Sequence, residues 1–354
     1  MAKVIVGMSG GVDSAVAAYL LQQQGYEVIG VTLRVWGSDE GEEQNRCCEI
    51  DDARRTCEIL GIRFHPHNCT SLFEANVVKP FVSSYLDGLT PNPCIECNRS
   101  VKWAKLMELA DIFEAEYVAT GHYAFVEKLP NGRYTVRKAQ QAGKDQTYML
   151  YKLTQEQLAR TLMPLGKYTK EEVRKIAEDI GLTVAHKEDS QEICFVTEGK
   201  YSDFISDYTD RTLPGEGDFV DEEGNVLGRH KGIYRYTVGQ RKGLGIALGY
   251  PAFVVRICPE NNTVVLGNEE SLMRSEFICR DVNFLSIPEP EEGEKVECLA
   301  KARYHQVERS AMIEMLDGNK VKVTLSEPVK GVSPGQSAVF YDADGRVVGG
   351  GIIT

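Results

Sequence analysis

The stretch Val4 to Leu21, VIVGMSGGVDSAVAAYLL, constrains this chain more than any other. Val4-Ile5-Val6 predicts a short apolar strand. Gly7 to Ser14 predicts a tight glycine-rich turn, and Ala15 to Gln24 a helix of strong helix formers. Strand, turn and helix N-terminus together make an anion site. Gly10 and Gly11 let the backbone approach an anion closely, and the free N–H groups and the helix dipole point at it. Ser9 and Ser14 add hydroxyl donors, and Asp13 is a group that can hold a magnesium ion. No Lys-Ser/Thr follows the glycines, so this is not a Walker loop, and the spacing is not that of the dinucleotide fingerprint. A plain strand–turn–helix corner is the competing reading.

The segments that follow keep a βα rhythm. Strands are expected at Tyr26 to Leu33, Ile62 to His65 and Tyr117 to Thr120. Helices are expected at Cys47 to Leu60, Ser71 to Leu86 and Arg99 to Phe113. This pattern predicts a parallel sheet with helices on both faces, whose ligands bind beyond the carboxyl ends of the strands. The SGGVDS turn, Leu33 and Gly121-His122 all fall at those ends. The polar stretch Gly37 to Asn45 reads as a mobile loop. Pro130-Asn131-Gly132 marks a hairpin within Phe125 to Lys138, and helices are expected at Gln155 to Leu162 and Lys170 to Ile180. Helical patterns stop near Leu213 to Gly217. Short β-type runs follow: Asn225 to Leu227, Ala252 to Cys258, Thr263 to Leu266, Lys295 to Ala302, Ala311 to Met315, Val321 to Ser326, Ala338 to Asp342 and Val347 to Ile353. The expected fold is therefore an α/β domain over 1–210, a small linking domain over 211–272 and a C-terminal β-barrel domain over 273–354.

Ten cysteines in a chain of this kind do not suggest a secreted disulfide framework, and Cys57, Cys69, Cys258, Cys279 and Cys298 lie in patterns that favour packing. No apolar run is long enough to span a membrane, and the first strand starts almost at Met1, so a cytoplasmic location is expected. A net charge of -12 argues weakly against a nucleic-acid partner, but binding depends on local patches. One such patch is Arg229 to Lys242, with Arg229, Lys231, Arg235, Arg241 and Lys242, no acid, and interleaved Tyr234 and Tyr236. That mixture suits phosphate contact and base stacking, or else is a solvated turn region. Cys94 and Cys97 form a C-x-x-C, and Cys194 sits in DSQEICF. Three readings compete for them: structural zinc with help from Cys47-Cys48, coincidental packing, or reactive sulfur. A helix N-terminus just after Cys97 would lower its thiol pKa and favour the third. The six histidines show no metal spacing.

SGGVDS after an apolar strand resembles the pyrophosphate loop of ATP-dependent adenylating enzymes. In order along the chain, GMSGGVDS, TPNPCIECN, ATGHY, GKDQTYML, DSQEICF and TVGQRKGLG resemble the tRNA-specific 2-thiouridylases, over essentially the whole length. The resemblance implies that ATP adenylates O2 of the wobble uridine (position 34) of certain tRNAs. A cysteine persulfide then delivers sulfur and AMP leaves. It places Gly7, Met8, Ser9, Gly10, Gly11, Val12, Asp13 and Ser14 on ATP, with Leu33 and Gly121 at the adenosine end. Cys97 matches the nucleophile and Cys194 the persulfide carrier, with a Cys97–Cys194 disulfide formed in turnover. Asn92, Pro93 and Cys94 match the segment that meets the target base. Lys144, Asp145, Gln146, Arg303 and Tyr304 match tRNA-contacting positions. ATP with Mg2+, tRNA, and a cysteine desulfurase or persulfide carrier are the implied cofactors and partners.

One departure matters: many members carry aspartate where this chain has Cys94. Three thiolates on Cys94, Cys97 and Cys194 with an open fourth position suit a [4Fe–4S] cluster, whose free iron could bind sulfide. The other readings are a non-thiolating adenylating enzyme of the same superfamily and a nucleotide-sensing RNA-binding protein. The cysteine pair argues against the first and the intact glycine turn against the second.

Overall fold

The structure, a computed structural model, describes residues 1–36, 43–188, 193–196 and 199–354, with the backbone alone for 43–49. The first domain alternates strand and helix: β1 Lys3–Gly7, α1 Val12–Gln23, β2 Glu27–Arg34, α2 Glu43–Leu60 and β3 Arg63–Asn68. A helical run follows as α3 Thr70–Phe73, a π-helical turn and α4 Lys79–Leu86. A second run comprises α5 Pro93–Cys97, another π-helical turn at Asn98–Trp103 and α6 Ala104–Ile112. Then come β4 Tyr117–Ala119, the hairpin β5 Ala124–Lys128 and β6 Tyr134–Lys138, α7 Gln155–Ala159, β7 Thr161–Leu162, α8 Lys170–Asp179 and α9 Tyr201–Tyr208.

The main sheet is parallel throughout, in the order β3-β2-β1-β4-β7. Strand order reverses direction between β1 and β4, which is where such sheets open a crevice for ligands. The residues flanking that crevice are packed by an unbroken apolar core. Val4, Ile5 and Val6 of β1 are fully buried, as is Trp103, whose indole N–H donates to Thr161 Oγ1 at 2.8 Å. α7 and α8 each begin with a reciprocal capping box, Thr154 with Gln157 and Thr169 with Glu172. Each is worth about 1 kcal/mol of helix stability.

A four-stranded sheet follows: β8 Gly217–Val220, β9 Val226–His230, β10 Phe253–Cys258 and β11 Thr263–Gly267, in the order β10-β11-β8-β9. The last part is a closed antiparallel barrel of β12 Met273–Phe284, β13 Lys295–Lys301, β14 Arg309–Leu316, β15 Lys320–Lys330, β16 Ser337–Tyr341 and β17 Val347–Ile353. The barrel shares one apolar core with the first domain, joining Ile5, Trp103 and Tyr151 to Leu285, Tyr341 and Val347. Thr135 Oγ1 donates to Val347 O at 2.7 Å and Tyr148 Oη to Ser337 O at 2.7 Å across the same contact.

Several elements differ from expectation. Thr161–Leu162 is a fifth strand and not a helix end, because it pairs with Val118 and Ala119. β12 has no sequence signature: Arg274, Glu276, Arg280 and Asp281 break its apolar alternation while backbone pairing to β15 and β17 holds it in place. The helix expected at Arg99 begins at Pro93, since proline is well suited to a first helical position. Residues 37–42 of the expected loop at Gly37 to Asn45, and 189–192 of DSQEICF, lie outside the described residues. So do the side chains of Cys47 and Cys48.

Candidate active site

The loop after β1 is built as an anion cradle. Met8 N donates to Val31 O at 2.7 Å and Thr32 Oγ1 to Met8 O at 2.9 Å, so the loop entrance is fixed by β2. Gly10 has φ +72°, a left-handed conformation that disfavours side chains. Ser14 Oγ accepts from Ser9 N at 3.1 Å and donates to Gly11 O at 3.1 Å. No side chain caps α1, so its first N–H groups face the loop without a side-chain partner. Gly121, just after β4, lies directly on this turn. A Cβ there would sit 2.7 Å from Asp13 C and 2.7 Å from Ser14 N. Leu33, half-buried near the end of β2, lies at the same sheet edge.

Asp13 is held by two groups that the sequence reading did not assign. Tyr123 Oη donates to Asp13 Oδ1 at 2.7 Å, and Lys170 Nζ lies 2.7 and 2.8 Å from its two carboxylate oxygens. A magnesium ion brought with ATP would meet a carboxylate already engaged by an ammonium group. Lys187 Nζ donates to Gly10 O at 3.1 Å and to Asp52 Oδ2 at 2.8 Å.

The cysteine segment approaches from the next helix. Asn92 caps α5, its side-chain oxygen accepting from Cys94 N at 3.2 Å, and Pro93 takes the first position. Glu96 is paired with the buried Lys152, which anchors the short helix. Cys94, exposed, is therefore the thiol at the helix N-terminus. Cys97 is one turn further in and buried. The helix N-terminal position expected for Cys97 belongs to Cys94, and burial pushes the Cys97 thiol up to about 12. Lys102 opposes that rise, whereas Cys194, Cys94 and Cys69 lie close enough that a charge on any of them adds to it. Cys194 is exposed, and its neighbour Phe195 is buried against Phe81 with ring centroids 5.1 Å apart, in the apolar cluster that also holds Cys97. The fold thus gathers Cys94, Cys97 and Cys194, together with Cys69, which is packed in the apolar cluster as expected.

Lys102 also links the two halves of the site. Burial, and then the Lys102 charge, hold His122 down at about 3, so its ring is neutral, with Nδ1 2.8 Å from Thr120 Oγ1. His122 follows Gly121 and packs on Trp103 at 5.4 Å.

The positions matched to RNA contact form a connected group with uneven exposure. Gln146 is clasped to Tyr123, accepting from its N–H at 3.0 Å and donating its own N–H to Tyr123 O at 3.0 Å. Asp145 accepts from Ala139 N at 3.1 Å and Thr147 Oγ1 at 2.7 Å, and burial raises its pKa. Lys144 ends the short turn Ala142–Lys144 beside them. Tyr304 Oη donates to Asp145 O at 3.0 Å, and Cys94 lies near this tyrosine. Arg303 points inward, donating to Val238 O at 2.8 Å and Ser333 Oγ at 2.6 Å. The basic-aromatic segment changes character as well. Tyr234 and Tyr236 are buried in apolar clusters and are not stacking platforms, and Arg229 and Arg235 pair with Asp218 and Asp203. Lys231, Arg241 and Lys242 stay exposed.

Among the described residues, no three His, Cys, Asp or Glu side chains are grouped so as to hold a metal ion. Cys94, Cys97 and Cys194 as placed therefore do not fit a [4Fe–4S] cluster. Among the described residues, no helix is long and apolar enough to cross a membrane.

The buried Cys97 thiol makes a direct prediction. Alkylation of Cys97 by iodoacetamide, followed by peptide mass spectrometry, should be far slower than that of exposed Cys94 and Cys194. Its rate should rise about tenfold per pH unit with no plateau below about pH 10. A plateau near pH 8 to 9 would show that the thiol is not held up by burial.

The fold and this edge define an α/β domain with a glycine-rich anion turn at the ends of its parallel strands and a group of thiols on the neighbouring helical segment. Residues 2–198 match the family model for a tRNA methyl transferase HUP domain, 202–268 its PRC-barrel domain, and 274–353 an aminomethyltransferase β-barrel domain. The chain is 52% identical to a tRNA-specific 2-thiouridylase MnmA of Lachnoclostridium phytofermentans over 360 residues, covering 100% of this chain and 99% of that one. It is 51% identical to the MnmA of Acetivibrio thermocellus over 358 residues, covering 99% of each. The chain belongs to the tRNA-specific 2-thiouridylase family.

Proposed function

We propose that this chain, as a member of a family of tRNA-uridine 2-sulfurtransferases, replaces O2 of the uridine at wobble position 34 by sulfur in two stages. In the first, O2 attacks the α-phosphate of ATP bound along Gly7 to Ser14, with Leu33 and Gly121 at the adenosine end. The new bond is O2–P, the α–β phosphoanhydride breaks, and pyrophosphate leaves. Adenylation must come first, because a carbonyl oxygen is a poor leaving group and AMP is a good one. In the second stage the terminal sulfur of a Cys194 persulfide attacks C2 and AMP departs. Cys97 attacks the Cys194 sulfur, so a Cys97–Cys194 disulfide forms and the sulfur stays on the base. An external thiol then reduces the disulfide.

The observation that carries this reading is the gathering of Cys194 and Cys94 close to Cys97, which is buried in an aromatic cluster, with the Lys102 charge acting on both Cys97 and His122. Lys102 is the cation that favours the Cys97 thiolate at the moment of disulfide formation. Asn92 to Cys94 and Lys144 to Gln146, beside Tyr304, line the approach of the base, which must leave its stack to reach the site. Arg303 supports that edge from inside. Asp13 would hold the magnesium of the nucleotide, which would neutralise phosphate charge. A cysteine desulfurase or persulfide carrier in the cytoplasm would recharge Cys194. With domain divisions at 210 and 272, ATP and sulfur chemistry belong to the first domain, further tRNA contact to the second, and the Arg303-Tyr304 edge of the base approach to the barrel.

The test is incubation with tRNA, ATP, magnesium and a persulfide donor, followed by nucleoside analysis. 2-Thiouridine at position 34 is expected, and unchanged uridine with every donor would overturn the reading. Iron and acid-labile sulfide are measured after anaerobic purification. Iron-free protein that thiolates supports the persulfide route, and thiolation that needs bound iron overturns it.

A further inference from the structure

We propose that Lys170 and Lys187 are ligands for the pyrophosphate part of the nucleotide, parked on carboxylates while the loop is empty. This rests on the reading of Gly7 to Ser14 as the ATP site.

Lys170 is 6% exposed, far from the usual place of a lysine, and it comes from the first turn of α8, which packs on α1 behind the glycine turn. Its ammonium is aimed at the mouth of the glycine turn, where it spans both oxygens of Asp13. Lys187 reaches the other side of the same turn. It donates to a carbonyl of the turn itself, Gly10 O, with Asp52 of α2 as its counter-ion. Two ammonium groups from separate segments therefore flank one helix N-terminus whose N–H groups no side chain caps.

Charge balance says why they are needed. A pyrophosphate group carries several negative charges, and Asp13, in the first turn of α1, adds another against it. The helix N-terminus offers only about half a positive charge. Lys170 removes the repulsion from Asp13, and exchange of either ammonium from carboxylate to phosphate keeps it paired throughout. An ammonium group suits this exchange, since its three donors have no fixed fork and turn freely from one acceptor to another. AMP, which lacks the β- and γ-phosphates, would leave both lysines on their carboxylates.

The test uses the full chain with inorganic pyrophosphate, ATP and AMP as titrants in calorimetry. Lys170→Met and Lys187→Met should each weaken pyrophosphate and ATP binding by about tenfold or more. AMP affinity should change less than about threefold. Lys170→Arg should recover part of the loss. Because Lys170→Met leaves Asp13 without its partner, the double variant Asp13→Asn/Lys170→Met is measured beside it, together with the melting temperature of each protein. Equal losses for AMP and pyrophosphate would show a merely structural role and overturn the proposal. Pyrophosphate binding as tight as that of the unaltered chain would also overturn it. If the unaltered chain binds neither ATP nor pyrophosphate, the reading of the loop itself fails.

Discussion

Cys97→Ser and Cys194→Ser should each reduce tRNA thiolation by at least about a thousandfold, while tRNA-dependent release of pyrophosphate from ATP continues. The two stages use different parts of the sheet edge. In the proposed reaction ATP lies on the turn after β1 and on Gly121, and the sulfur travels on the two cysteines. Sulfur transfer, by contrast, needs one thiol to carry the terminal sulfur and a second to release it. Serine is close in size to cysteine, so the buried site around Cys97 loses little packing and the effect reports chemistry. Cys69→Ala is the control. Its thiol is also near Cys97 and is buried, yet it has no part in the proposed transfer. Thiolation should persist in that variant. Non-reducing mass spectrometry during turnover should find the Cys97–Cys194 disulfide in the unaltered chain. Full thiolation by Cys194→Ser with a persulfide donor would remove the carrier role.

Much of this was legible in the sequence because it is local. An apolar triplet, a glycine turn and a run of helix formers specify β1, the loop and α1 through neighbouring residues alone, and the βα rhythm then fixes a parallel sheet. What the sequence hides is paired across long distances. β7 is two residues long and is a strand only because Val118 lies beside it. β12 carries charges along much of its length and is fixed by partners some 40 and 70 residues away, at Val321 to Cys279 and Ile353 to Cys279. The site follows the same division. The glycines, the C-x-x-C and the Cys194 segment announce themselves, whereas Lys170 reaches Asp13 across 157 positions with no motif around it. Tyr123 could be quoted from ATGHY, but its hydroxyl bond to Asp13 needs the fold. Burial is the property sequence reads worst. The helix expected from Arg99 starts six residues earlier, at Pro93, so the exposed thiol at its N-terminus is Cys94 and Cys97 lies buried. Tyr234 and Tyr236 looked like stacking surfaces among basic residues, yet both face inward.

Gly121→Ala should disable the nucleotide site without removing any functional group. Gly121 does not have a left-handed backbone, so its glycine is required by space alone. The added methyl would stand 2.7 Å from Asp13 C, 2.7 Å from Ser14 N and 3.0 Å from Asp13 O. All three are backbone atoms of the turn and the first turn of α1, which cannot rotate away as a side chain can. Forcing them apart costs about 1–3 kcal/mol, as overpacking does elsewhere in well-packed interiors. The displacement falls on the N–H groups that face the anion. ATP affinity should therefore drop by about tenfold to a hundredfold, with thiolation falling in step at limiting ATP. Gly215→Ala provides the comparison, since a Cβ there meets nothing within 4 Å and the backbone is unstrained. It should leave ATP affinity and melting temperature unchanged. Titration of both variants with ATP in calorimetry decides the matter. Unaltered affinity in Gly121→Ala would mean that the loop after β4 does not press on the phosphate turn, and the adenosine end of the site would have to be sought elsewhere along the sheet edge.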